Sequence, residues 1–119
     1  MVVVSQSVII HAPVDVVFSF CSSPTGFEAQ FPFKVQWIQR PERWGNGDEI
    51  HFNYRVMGCW LRHHAKITDF CSNSRFVDEA EGGFFSIFRH EHLFRPDGNS
   101  TVYTDTVTVS IGLGRILDA

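Results

Sequence analysis

Cysteine is scarce in this chain. The three present, Cys21, Cys59 and Cys71, are odd in number and show no CxxC spacing. That excludes a disulfide framework and a zinc ribbon, and fits a reducing, cytoplasmic setting. Long apolar runs are missing too, since no stretch reaches the roughly 18 residues of a membrane span. Met1-Val2-Val3-Val4-Ser5 lacks the basic start of a signal peptide. There is no block of Lys and Arg either. Ten basic residues against 13 acidic ones leave a net charge of −3, which argues against a nucleic-acid partner. A phosphate-cradling loop is absent as well, because Gly112-Leu113-Gly114 lacks both a third glycine and a following helix.

What is abundant is aromatic. Phe, Trp and Tyr make up 14% of the 119 residues, and twelve of them are Phe. Such a content builds either a Phe-rich core or the wall of a cavity for an apolar ligand. With 44% apolar and 19% charged residues the chain reads as an ordered globule. Its length suits a single domain, 1–119, which needs no metal or disulfide to fold.

The first segment, Val2 to His11, is β-branched and reads as a strand. Val14, Val17, Phe18 and Cys21 follow helical spacing, giving a short helix from about Pro13 to Cys21. Ser22-Ser23-Pro24 supplies a hydroxyl cap and a first-turn proline for a second helix, Pro24 to Gln30. From there the signals are all strand: Lys34 to Arg40, Glu49 to Met57, Trp60 to Phe70, Arg75 to Ala80, Phe85 to Arg95 and Thr101 to Ile111. Short turns at Asn46-Gly47-Asp48, Gly58, Ser72-Asn73-Ser74, Gly82-Gly83 and Pro96-Asp97-Gly98-Asn99 join them into an antiparallel meander. The last nine residues resemble the start of a helix that stops.

Period-two alternation then sorts the side chains. Phe88, His90, His92 and Phe94 share one face, while Arg89, Glu91 and Arg95 share the other, which must face solvent. In the next strand Tyr103, Asp105, Val107 and Val109 form the inner face. Hairpin pairing brings His90, His92, Tyr103 and Asp105 onto one concave surface. His63 joins them if it faces inward with Ala65 and Ile67. Three readings compete: polar groups satisfying one another, a ligand pocket, or metal binding by His90-x-His92 with Asp105. His-x-His on a strand arises often by chance, so no metal and no cofactor is assigned. The cysteines read as buried structural thiols.

Ile10-His11-Ala12-Pro13-x-x-x-Val17-Phe18-x-Phe20 resembles the opening of the START-like, or SRPBCC, superfamily. Ile67-Thr68-x-Phe70, Phe76-x-Asp78-Glu79 and Gly82-Gly83-Phe84 resemble the middle of its polyketide cyclase and ligand-binding branch. Phe88-x-His90-x-His92-x-Phe94 and Thr101-x-x-x-Asp105-x-Val107 resemble its late hairpin. The resemblance implies an α+β helix-grip fold: a curved antiparallel sheet, two short helices after the first strand, and a hydrophobic cavity. The long closing helix of that fold is expected to be truncated or absent, and a homodimer is expected to cover the exposed concave face.

The expected function is binding of a small hydrophobic molecule of lipid, polyketide or aromatic type. Its walls would be Phe52, Tyr54, Phe88, Phe94 and Tyr103, and His63, His90, His92 and Asp105 would orient the ligand. One alternative is a cyclase or dehydratase, with His90, His92 and Asp105 as catalytic candidates. Another is a co-chaperone-like protein-interaction module without a ligand-sized pocket.

Overall fold

The computed structural model describes residues 1–80 and 85–111. The expected Gly82-Gly83 turn and the helix start over 112–119 lie outside the described residues. Nine elements follow in order: β1 (Val2–Ile10), α1 (Val14–Cys21), α2 (Pro24–Gln30), β2 (Lys34–Gln39), β3 (Glu49–Val56), β4 (Cys59–Cys71), β5 (Arg75–Ala80), β6 (Phe85–Asp97) and β7 (Ser100–Ile111). The strands form one antiparallel sheet in the order β1-β7-β6-β5-β4-β3-β2, so β2 to β7 are a meander and β1 returns beside β7. This is the curved sheet with two short helices after its first strand that the alternation and the family resemblance imply.

The helices begin where local chemistry dictates. Pro13, with φ −61° and ψ 152°, is the extended residue that caps α1 rather than its first helical residue. Ser23 caps α2, its hydroxyl accepting from the Gly26 amide at 3.2 Å, and Pro24 opens the helix. Gly26 is where α2 touches α1: a Cβ there would stand 1.8 Å from the Phe20 carbonyl oxygen, so no larger residue fits without separating the helices. Among the described residues, neither helix nor any other is long and apolar enough to cross a membrane.

Two helices pack against the concave face and fill its ends with rings. Phe18 of α1 meets Phe70, Phe76 and Phe94 edge-on at 5.0–6.0 Å. Phe27 of α2 and Phe31, which caps its end, pack on Phe52, with Trp37 and Tyr54 beside them. Curvature comes with irregular registers, between Trp37 and Gln39 in β2 and between Thr68 and Cys71 in β4. The latter holds Asp69 at φ +49°, a left-handed conformation that Asp tolerates better than most residues.

Several expected bounds shift. β6 runs on through Pro96 to Asp97 and pairs with Ser100, so the turn is the two residues Gly98-Asn99, with Gly98 at φ +62°. Proline is tolerated there because β5 pairs with β6 no further than Leu93, leaving that stretch a partner on one side. Cys59 and Cys71 are exposed rather than buried, because they end β4 at its two hairpins; Cys21 is buried.

Candidate ligand cavity

Between the two ring clusters the described residues leave a hollow on the concave face. A cavity of about 310 Å³ lies there, walled by Phe27, Phe31 and Phe33 from the α2 side, Cys21 and Trp44, and Phe52, Tyr54, Phe76, Phe88 and Val107 from the sheet. Four ionisable strand residues interrupt this wall on adjacent strands: Asp78 of β5, His90 and His92 of β6 and Asp105 of β7, with His63 of β4 nearby.

The sheet register explains how they meet. Asp78 sits directly opposite His90, and His92 opposite both Phe76 and Asp105. Twist makes the hydrogen bonds diagonal. His92 Nε2 lies 2.9 Å from Asp78 Oδ2, and its Nδ1 lies 2.7 Å from the Tyr103 hydroxyl. His90 Nε2 is hydrogen-bonded to Asp105 Oδ1, while its Nδ1 stands 3.9 Å from Asp78 Oδ2. The two histidine rings stack at 3.9 Å, and Phe76 stacks on His92 at 4.1 Å. The His63 ring lies between Phe52 and Phe88, at 5.1 and 4.9 Å.

Burial and charge then act in opposite directions on these groups. Burial would raise the Asp78 carboxyl, but its hydrogen bond with His92 and the facing His90 ring outweigh that and hold it below the usual range. Burial depresses His92, and Asp78 offsets this only in part, so the ring is a neutral one. His63 is depressed for the same reason. His90 is the exception. Burial pulls it down, yet the Asp105 hydrogen bond and the charges of Asp78 and Asp105 together raise it above its ordinary value. Burial also pushes the Tyr103 phenol far up, so it stays protonated.

Of the residues expected from sequence to surround a ligand, Phe52, Tyr54, His63, Phe88, His90, His92 and Asp105 line the cavity. Phe94 and Tyr103 do not. They stack on each other at 5.1 Å beneath α1, where Phe18 covers Phe94, and Tyr103 reaches the site through its bond to His92. Asp78 was not among the expected site residues, although it is buried at the centre of the network. Its signal was the alternation Phe76-x-Asp78-x-Ala80, which puts a carboxylate on the inner face of a short strand.

Against known proteins, no family model and no curated protein matches this sequence. Solved structures do match. TTHA0849 from Thermus thermophilus superposes with a TM-score of 0.76 at 18% identity, over 98% of this chain and 82% of that one. A START superfamily protein from Mycobacterium smegmatis gives 0.74 at 17% identity, over 97% and 83%. The Zhui aromatase/cyclase from a Streptomyces species gives 0.71 at 18% identity, over 92% and 68%. The fold is therefore START-like.

The network predicts an order of stabilities. Asp78→Ala strands the His92 nitrogen in a buried setting and should cost about 1–3 kcal/mol in equilibrium denaturation. Asp105→Ala, whose side chain is 36% exposed, should cost less, because water can replace it. Equal costs would mean that Asp78 is not the buried centre.

Proposed function

We propose that this chain binds a compact, mostly apolar, ring-containing molecule in the concave cavity. The observation that carries this is the pairing of aromatic walls with a small polar floor in one hollow. About 310 Å³ lies at the low end of ligand pockets, which favours a fused-ring or aromatic molecule over a long acyl chain. The cavity also weighs against the co-chaperone-like alternative, which expects no pocket of ligand size.

In this reading Phe27, Phe31, Phe52 and Phe88 sandwich the rings of the ligand, and His63 and His90 meet its polar edge. A second reading, catalysis of cyclase or dehydratase type, is favoured by one feature. Asp105 engages His90 Nε2 while the His90 ring lines the cavity, the arrangement of a histidine positioned for acid–base work. The aromatase/cyclase among the fold relatives is in keeping with it.

A naphthol probe tests the binding. Titration followed by Trp44 fluorescence should saturate at one probe per chain, and Val107→Trp, which fills the cavity from β7, should weaken binding about tenfold or more (about 1.4 kcal/mol). Undiminished binding in that variant would remove the cavity from the proposal. Turnover abolished in His90→Gln while probe binding persists would select the catalytic reading.

A homodimer is part of the proposal. Val2, Val4 and Val8 lie on the cavity side of the edge strand β1, beside Val109, Val107 and Tyr103, and are 52–53% exposed. A second copy laid on this apolar margin would bury it. Sedimentation at micromolar concentration should show a dimer, and a monodisperse monomer would refute it.

A further inference from the structure

We infer that the cavity floor is a binding site for one divalent first-row transition metal ion, Zn²⁺ or Fe²⁺, held by Asp78, His90 and His92. Each offers one ligand atom, and these atoms lie within 4.8 Å of one another, on adjacent strands and largely out of water. Bonds of about 2.0–2.2 Å place tetrahedral donors roughly 3.3 Å apart. The observed separations from Asp78 Oδ2, 2.9 Å to His92 and 3.9 Å to His90, bracket that figure, so small side-chain adjustments suffice.

The groups behind the triad fit the same purpose. A ligating histidine needs its other nitrogen fixed by a hydrogen-bond partner. His90 Nε2 has Asp105, a carboxylate that holds the proton on Nε2 and leaves Nδ1 as the donor atom. His92 Nδ1 has the Tyr103 hydroxyl, which can donate or accept. Without metal, the His92 proton sits on Nε2 and faces Asp78. With metal, it moves to Nδ1 and Tyr103 accepts it. Two imidazoles and one carboxylate select a transition metal over Mg²⁺ or Ca²⁺, which prefer all-oxygen shells. All three ligands line the cavity, so the remaining coordination positions open into it. A ligand oxygen would complete the shell there.

Metal binding does not require the ligand reading, and its test uses no ligand. It does claim His90 Nδ1, so an acid–base role for His90 belongs to the metal-free chain. Purified protein stripped with chelator should bind one Zn²⁺ per chain by calorimetry, undisturbed by excess Mg²⁺. Co²⁺ should give visible bands of a four- or five-coordinate nitrogen-containing site. Asp78→Asn and His90→Gln, each checked for an unchanged circular dichroism spectrum, should lose the site. Tyr103→Phe, which removes only the oxygen behind His92, should weaken it about 10–100-fold. If the ligand variants misfold, the wild-type chain still decides, because Co²⁺ must displace the imidazole signals of His90 and His92. Absence of Zn²⁺ binding, retained affinity in the folded variants, or Co²⁺ effects confined to His51 and His64 on the opposite face would each overturn the inference.

Discussion

The pairing of Asp78 with His92 is the constraint around which the concave face is organised. A carboxylate in the middle of a sheet is costly unless donors reach it, and here the donor is a neutral imidazole 2.9 Å away. That bond fixes the ring of His92, whose other nitrogen then needs Tyr103, and whose faces take Phe76 and His90 as stacking partners. Replacing the network by apolar residues would give a simpler core. Its presence keeps a polar floor inside an otherwise aromatic hollow, which is what orienting a ligand or an ion requires.

The hollow survives because the helices fill the ends of the curved sheet and not its centre. Phe18 of α1 closes over Phe76 and Phe94, and Phe27 of α2 with the capping Phe31 closes over Phe52. Gly26 lets the two helices touch. The register shifts in β2 and β4 accompany the curvature, and the hollow lies between the two ring clusters. Packing, cavity and site thus follow from the same geometry.

Much of this was legible in the sequence. Period-two alternation placed His90, His92 and Asp105 on the inner face, and the Ser23-Pro24 signal marked the start of α2. What escaped has identifiable causes. Asp78 lies in a six-residue strand, too short for alternation to stand out, and a buried acid is rare enough to be passed over. Phe94 and Tyr103 lie on the correct face, but alternation gives a face and not a position along it. Which end α1 would cover depends on the crossover from β1 to β2, a tertiary fact. The left-handed Asp69 sits at the irregular register of β4, which no local signal announces.

The most direct measurement is an NMR titration of the imidazole nitrogens in metal-free protein. His90 gains its proton partner on folding, so its contribution to stability is full below the ordinary histidine value of about 6.5 and is lost as pH rises through its elevated folded value. His63 and His92 have the opposite sign: buried and neutral, they stabilise above about 6.5 and cease to do so as pH falls through their depressed values. His90 should therefore titrate above the ordinary range and His63 and His92 below it, with His92 carrying its proton on Nε2, towards Asp78. Three histidines titrating together near the ordinary value would contradict the buried network on which the cavity floor rests.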